Sequence, residues 1–262
     1  MARKIATTLT ASAALSGAET AEDARFAAFF NDYLENQLES RPVYATNLGD
    51  HRADDRIEDI SPRARQARTR QRHETLRRLT REFDYPKLSR NTQIDFEIFR
   101  HELEQRIWMD ENAREFEEDP RTYNDYLSGS VYRLLAQSSL PAETNLRNAI
   151  ARIKLLPRVI ETARQTLEHP PLPILETGIR QNRGVISFFY EKGIYEMVGP
   201  SPQLPALEAA CDELLAPLRE HQEFLEGLRR SASENWRLGK EKFDRKLRFE
   251  LNADTTADQV LA

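Results

Sequence analysis

Apolar side chains recur every three or four residues along most of the chain, and no stretch sustains an alternation of apolar and polar positions. The first spacing places apolar side chains on one face of an α-helix, whereas alternation would indicate a β-strand. The pattern therefore predicts an all-α fold, a bundle-like array of several helices. The first predicted helix runs from Ala21 to Ser40, and the acidic Glu22 and Asp23 suit its N-terminus, where the helix dipole is positive.

Prolines and capping residues mark the boundaries of the next helices. Arg41 and Pro42 end the first helix. Ser61 and Pro62 then provide an N-cap and a first-turn proline for a second helix that reaches about Phe83. A polar loop is predicted between them, through Leu48, Gly49, Asp50 and His51.

A third helix is expected after Ser89, and it becomes acidic towards Glu117, Glu118 and Asp119. The second helix is crowded with arginine, so the two helices should pair through opposite charges. Exposed pairs of this kind stabilise a fold by only about 0–1 kcal/mol each, so they help to set which helices pair. The apolar stripe of the third helix is predicted to consist of Ile94, Ile98, Phe99, Leu103 and Ile107.

The second half of the chain has the same helical periodicity between proline-rich breaks. A short helix is expected after Pro120, and Pro141 opens a long helix that Pro157 should kink, because proline cannot donate to the helix ladder. The cleanest stripe in the sequence follows Pro205 and includes Cys211. The last apolar positions expected to complete the pattern are Trp236, Leu238, Phe243, Leu247 and Leu251.

The segment from Asp254 to Ala262 has the pattern of a helix start, with Thr256 and Gln259 spaced as a capping box before an apolar pair. A helix of two turns is not stable alone, since nucleation is costly. We therefore expect one helical domain over residues 21–253, followed by the start of a truncated helix over 254–262. This expectation makes the chain the N-terminal part of a longer polypeptide.

The charge balance restricts the classes of partner. The net charge is −5, with 38 basic and 43 acidic residues, which argues against a general affinity for nucleic acid. The arginine-rich second helix does not indicate RNA binding, because no aromatic side chains are interleaved with its arginines. No run approaches the roughly 18 apolar residues of a membrane-spanning helix, so no transmembrane segment is expected.

Residues 1–20 have the order typical of a secretory signal. Arg3 and Lys4 precede a mild apolar stretch from Ile5 to Leu15, and small residues follow at Ser16 to Ala18. Threonine and serine interrupt the apolar stretch, so a disordered N-terminal tail is the alternative. A genuine signal would place the protein in the periplasm or outside the cell; otherwise the protein is expected in the cytoplasm.

Two places begin like the helical zinc motif, which needs two histidines one turn apart and a glutamate beside the first. His73 precedes Glu74 and His101 precedes Glu102, but the second histidine is missing in both places. Both pairs are interpreted as surface residues of charged helices. The sequence therefore assigns no metal ligand, no cofactor and no catalytic residue to this chain.

The loop after the first helix carries several oxygen and imidazole groups that could bind a divalent ion. They lack the spacing and the glycine turn of a calcium-binding loop, and we interpret them as a loop whose acids pair with Arg52 and Arg56. The candidate ligands are Asp50, His51, Asp54, Asp55 and Asp59.

Three other features have functional and structural interpretations. Arg180, Asn182 and Arg183 follow a glycine and could bind an anion, but ordinary solvated side chains are the simpler interpretation. Cys211 lies on a leucine stripe and is interpreted as an inert core thiol. The sequence also indicates no nucleophile relay, so we expect a helical body without a complete active site of its own.

Four separated segments carry a resemblance to a known family. They are FAAFFNDYLENQLESRPVYATNLGDHRADDRIEDISPRA (Phe26 to Ala64), IDFEIFRHELE, DPRTYNDYLSGSVYRLL and RLGKEKFDRKLRFEL (Arg237 to Leu251). In this order they resemble the bacterial "domain of unknown function 885" family over about residues 24–262.

The resemblance implies a largely helical, often exported protein that is longer than this chain and distantly similar to zinc-dependent peptidases of the gluzincin type. The family's metal centre lies in its C-terminal half, and no position here matches it. The chain would then be the N-terminal helical portion of a zinc-dependent peptidase-like hydrolase, half of a larger helical fold. Its partners would be the C-terminal half of the same polypeptide and a peptide-like substrate, and zinc would be expected only in a full-length homologue. The alternative is a stand-alone helical protein-interaction module without enzymatic activity.

Overall fold

The computed structural model describes residues 20–191 and 193–261, and within them it contains helices, turns and loops but no β-strand. The predicted all-α fold is confirmed. The predicted secretory signal lies outside the described residues. The helices are α1 Ala21–Ser40, α2 Pro42–Asn47, α3 Pro62–Glu82, α4 Arg90–Asn112, α5 Glu115–Glu118, α6 Pro120–Asn124, α7 Ser130–Gln137, α8 Ala142–Ile153, α9 Leu156–Thr166, α10 Leu172–Tyr190, α11 Gly193–Val198, α12 Leu204–Gly227, α13 Lys240–Leu251 and α14 Ala257–Leu261.

Side-chain caps start the first three long helices, and the cap at Ser61 was predicted from the sequence. Thr20 and Asp23 form a capping box at the start of α1. The hydroxyls of Ser61 and Ser89 accept hydrogen bonds from backbone N–H groups in the first turns of α3 and α4. Asp23 also accepts from the backbone N–H of Ser89 at 2.9 Å. Burial opposes ionisation, but the N–H donors of Thr20 and Ser89 lower the pKa of Asp23 to about 2. One carboxylate therefore fixes the starts of α1 and α4 to each other.

Two apolar clusters form the core. The smaller cluster packs α1, α3 and α4 through edge-to-face aromatic contacts, such as Phe26 with Phe83 at 5.7 Å between ring centroids. The larger cluster joins the helices from α6 to α12. The predicted charge pairing of α3 with the acidic region is confirmed: Arg72 binds Asp110 at 2.5 Å, and Arg65 binds Glu117 at 2.8 Å.

Pro157 ends one helix and begins another, where the sequence predicted a kink in a single helix. Helix α8 stops at Ile153, and Pro157 lies in the first turn of α9. The lack of an N–H on proline costs no helical hydrogen bond there, because N–H groups of the first turn have no partner within the helix. Residues from Pro120 to Gln137 form one nearly continuous helical stretch, in which a π-helical turn over Asp125–Gly129 joins α6 to α7.

Helix α10 packs against α6 at a point where only glycine fits. A Cβ atom on Gly178 would lie 2.5 Å from Cγ of Pro120. The Asn124 amide donates to the Gly178 carbonyl at 2.9 Å across the same contact. The sequence signal for this close approach was a glycine inside a helical stripe.

Helix α13 lies antiparallel to α4 at the edge of the fold. Lys242 Nζ donates to the carbonyl of Asn112, and the His101 imidazole contacts the carbonyl of Phe249 at 3.0 Å. Phe249 is buried on this contact, whereas Phe243 and Leu251 are 48% and 52% exposed. Within the described part of the chain, one apolar face of this helix is therefore covered and the other is exposed.

Several residues predicted to complete apolar stripes are exposed. The cluster around Phe99 buries one face of α4, so that Ile94 and Ile98 remain outside it, and Trp236 and Leu238 lie in the exposed segment before α13. The capping box of Thr256 and Gln259 forms at the start of α14, as predicted. Among the described residues, none of the helices combines the length and the apolar character needed to cross a membrane.

Candidate functional site

The loop between α2 and α3 gathers the polar residues that the sequence singled out, and part of it consists of solvated ion pairs. The single Nε–H of Arg52 is shared by both carboxylate oxygens of Asp50, at 2.9 and 3.0 Å, and Arg52 also pairs with Glu35. The Arg52 guanidinium lowers the pKa of Asp50. Asp55 lies 3.8 Å from Arg56. The predicted pairing with Arg52 and Arg56 is confirmed for these two acids.

Asp54 differs from its neighbours because it is buried and has other partners. Its side chain is 1% exposed. The Thr46 hydroxyl donates to its Oδ1 at 2.5 Å, and the His51 Nδ1–H donates to its Oδ2 at 2.7 Å. The other ring nitrogen of His51, Nε2, lies 3.3 Å from Oγ of Ser139. Asp54, His51 and Ser139 therefore form a hydrogen-bonded row that runs from the interior to the surface.

Arg152 lies behind this row and is completely buried. Its guanidinium donates to the carbonyls of Arg56 at 2.9 Å and Ser130 at 2.8 Å, and to the Thr46 hydroxyl at 2.6 Å. It lies 3.9 Å from Oδ1 of Asp54. Burial lowers the pKa of Arg152 to about 10, against the opposing effect of Asp54, so the guanidinium is charged at neutral pH. This one side chain connects the loop to α7 and α8.

A second buried acid fixes the other end of the loop. Glu58 accepts from the backbone N–H of Val43 at 3.0 Å and from the Tyr126 hydroxyl at 3.1 Å. Burial, together with the nearby Glu58 carboxylate, raises the pKa of Tyr126, so the phenol keeps its proton and remains a donor. The loop is therefore held at both ends by buried polar contacts.

A groove of about 330 Å³ lies beside the same loop. Charged residues make up much of its wall, and several of them are neutralised by the ion pairs above. Its lining residues are Leu38, Glu39, Ala45, Asp50, Arg52, Ala53 and Arg56.

The two partial zinc motifs are separated and have ordinary partners. His73 binds Glu111 at 2.8 Å on the surface, and His101 contacts the Phe249 carbonyl. Within residues 20–191 and 193–261, no three His, Cys, Asp or Glu side chains are grouped so that they could hold a metal ion. The described residues therefore do not fit the zinc site that the family resemblance implies.

The remaining candidates have structural surroundings. Asn182 is buried and donates to Gln222, Arg183 pairs with Glu226, and Arg180 donates to Thr177. These three residues therefore do not converge on an anion site. Cys211 is a buried core thiol, as predicted, and burial raises its pKa to about 11.

Ser139, Thr46 and Arg152 belong to this site but were not predicted from the sequence. Ser139 lies 88 residues from His51, and Arg152 lies 106 residues from Thr46. A lone serine after a helix and an arginine within an apolar stripe carry no local signal of partners so distant. Arg152 could have been noticed only as a charged residue at a predicted core position.

The chain is similar to a bacterial protein family and to a solved structure. The family model described as "Bacterial protein of unknown function (DUF885)" matches residues 42–262. No curated protein matches the chain. A solved structure described as "a putative lipoprotein of unknown function from Shewanella oneidensis" is similar, with a TM-score of 0.78 and 23% identity. The similarity covers 90% of this chain and 44% of the other, so the chain spans less than half the length of that protein.

Proposed function

Because this chain belongs to the bacterial DUF885 family, we propose that it is the N-terminal helical portion of a larger zinc-dependent peptidase-like hydrolase, in which it forms one wall of a substrate cleft. Zinc would be held by residues outside this portion, and none of the described residues is assigned to it. The substrate would be peptide-like. We extend the proposal to an extracytoplasmic location, which the lipoprotein description of the Shewanella oneidensis protein supports.

The observation that carries the proposal is an uncovered apolar surface at the α13 edge. We define it as the exposed side chains of Ile94, Ile98, Phe243 and Leu251. Lys242 lies beside the end of α4 and Phe249 lies beside His101, so the Leu251 end of α13 points towards Ile98. Phe243 and Leu251 lie about two helical turns apart on one face of α13, and an exposed apolar face of this length is a feature of interfaces. The occupant we assign is the remainder of the longer protein, because the similar solved structure is more than twice as long as the region matched.

A binding experiment tests this assignment. The chain is titrated with the separately produced C-terminal half of a longer family member, and association is followed by calorimetry. The double variant Phe243→Ser/Leu251→Ser should bind at least about tenfold more weakly, since each buried apolar side chain contributes about 1.5–3 kcal/mol. The control variant Tyr190→Ser removes an equally exposed ring (51%) on α10 and should bind like the wild type.

Zinc content and peptide hydrolysis are measured on the complex and on the chain alone. We expect zinc and chelator-sensitive turnover only in the complex. Stoichiometric zinc and chelator-sensitive turnover in the chain alone would overturn the assignment. A monomeric, cooperatively folding chain that ignores the C-terminal half would favour the alternative, a stand-alone interaction module.

A further inference from the structure

We propose that Asp54, His51 and Ser139 form a nucleophile relay, in which Ser139 attacks a small ester and is acylated. This inference goes beyond the proposed function, because it places a reaction within the N-terminal portion and uses no metal. It depends on none of the residues of the uncovered apolar surface.

The first support is the order and spacing of the three groups. A serine relay needs a base within hydrogen-bond reach of the hydroxyl and a carboxylate that orients the base, and the nucleophile contact is often longer before substrate binds. Here the carboxylate contacts Nδ1 at 2.7 Å, and Nε2 lies 3.3 Å from the serine oxygen. A carboxylate only accepts, so Nδ1 carries the proton and Nε2 is free to accept from Ser139.

The second support is the gradient of exposure along the row. Asp54 is 1% exposed, the side chain of His51 is 19% exposed, and Ser139 lies on the surface. The orienting acid is therefore fixed in the interior, while the nucleophile is open to a substrate.

The third support is the rigidity of Asp54. The Thr46 hydroxyl occupies its Oδ1, and Arg152 donates to the same hydroxyl while it is itself held by three backbone carbonyls. A carboxylate fixed on one oxygen presents the other in a single direction, which sets the plane of the His51 ring. Supporting contacts of this kind are what hold a reactive geometry in place.

The position of Ser139 in the chain is also suitable. It lies two residues before Pro141, the N-cap of α8, and this helix begins without a side-chain cap. The positive end of the helix dipole is therefore close along the chain to the hydroxyl. Charge that develops on a carbonyl oxygen during attack is favoured near such an end.

The reaction balances without an added oxidant or metal. Ser139 Oγ forms a bond to the ester carbonyl carbon as its proton moves to Nε2 of His51, and the alcohol leaves with that proton. Water then attacks the acyl-serine, His51 accepts the proton of the water, and Ser139 recovers a proton as the acid departs. The net change is hydrolysis of an ester to an acid and an alcohol. Because Ser139 is open to solvent, a small ester with a good leaving group is the class of substrate that suits it.

A covalent probe tests the relay on the full chain. A fluorophosphonate phosphonylates an activated serine, forming a serine–phosphorus bond through oxygen as fluoride leaves, and mass spectrometry of the peptide that contains Ser139 locates the adduct. We expect the wild type to be labelled at Ser139 and Ser139→Ala to be unlabelled. His51→Gln, with folding checked by circular dichroism, should be labelled at least tenfold more slowly. Ser138→Ala is the matched control, and it should be labelled at Ser139 like the wild type.

Adding a metal chelator to the labelling reaction distinguishes this site from zinc chemistry. The rate at which Ser139 is labelled should be the same with and without the chelator. If Ser139 is labelled no faster than other surface serines, or equally fast in His51→Gln, the relay is overturned and the contact only attaches the two loops. Asp54→Asn provides a second test of the orienting group, and equal labelling in this folded variant would also contradict the proposal. Binding to the C-terminal half is measured separately, so either proposal can fail alone.

Discussion

The guanidinium of Arg152 donates a hydrogen bond of 2.6 Å to the hydroxyl of Thr46, across 106 residues of sequence. The same hydroxyl donates to Asp54. The threonine thereby connects a buried cation to a buried anion 3.9 Å away. This arrangement fixes the loop that carries His51, and the stability of the fold should depend on it.

Replacement of Arg152 by Met should lower the free energy of unfolding by about 3–5 kcal/mol, because it leaves the buried Asp54 without its nearby cation and several buried carbonyls without their donor. Urea unfolding monitored by circular dichroism measures the change. Arg147→Met on the same helix is the control, since Arg147 is exposed, and it should change stability by less than about 0.5 kcal/mol. Equal effects of the two variants would contradict this role for Arg152.

His221 should make the protein sensitive to mild acid. It is completely buried, stacks on Phe224, and has no hydrogen-bond partner among the described residues. Burial lowers its pKa from 6.5 to about 4. Between these values the unfolded chain binds a proton that the folded chain does not, so stability should fall as pH drops from 6.5 to 4, by about 3 kcal/mol in total.

His221→Leu removes this proton linkage and also two unsatisfied polar atoms. The variant should be more stable at neutral pH by about 1–3 kcal/mol. Its stability should also depend less steeply on pH between 6.5 and 4 than that of the wild type. Urea unfolding at a series of pH values checks both effects. If stability depended equally steeply on pH in the variant and the wild type, His221 would be protonated as readily in the folded protein as in the unfolded chain.

Two glycines of α10 should respond in opposite directions to the same substitution. Gly178→Ala places a methyl group 2.5 Å from Pro120, so α6 and α10 must separate at a cost of about 1–3 kcal/mol. Beyond the backbone of its own helix turn, no atom of the described residues lies within 4 Å of a Cβ placed on Gly184, and Gly184→Ala should stabilise the helix by about 0.5–1 kcal/mol. Thermal unfolding of both variants compares them within one helix.

Asp23→Ala should separate the starts of α1 and α4. The variant loses the bond that Asp23 accepts from the backbone N–H of Thr20 in the capping box and the bond that it accepts from Ser89, which together should cost about 1–2 kcal/mol. The pKa of Asp23 is lowered from 3.8 to about 2, so its contribution is present above pH 3.8 and is lost as pH falls towards 2.

The exposed Asp32 on the same helix provides the control, and Asp32→Ala should unfold at the same urea concentration as the wild type. The difference between Asp23→Ala and the wild type should also shrink as the pH falls from 3.8 towards 2. A difference that stays constant over this range would contradict the ionised cap.

Helix boundaries were the most predictable feature of this protein. The first helix runs over Ala21–Ser40 as predicted, and Ser61 and Ser89 cap the next long helices. These signals are local, because the side chain of an N-cap residue accepts a hydrogen bond from the backbone N–H three residues later. Pro157 shows the limit of such reasoning, because the sequence indicated a disturbance but did not distinguish a kink from the end of a helix.

Burial of the apolar stripes was less predictable. Ile98 and Phe99 are adjacent members of one predicted stripe, yet Phe99 packs against the aromatic rings of α1 while Ile98 is exposed. A helix with apolar residues on a broad face does not specify by itself which part another helix will cover.

The sequence by itself determined that this protein is helical, where several of its long helices begin, and that opposite charges join α3 to the acidic region after it. Periodicity, capping and charge act over a few residues, so one sequence is enough to reveal them. Only the tertiary structure decided that His51 lies between Asp54 and Ser139, that Arg152 is buried behind them, and that one face of α13 stays uncovered. These relationships join residues that are far apart in the chain, and they depend on how the helices pack.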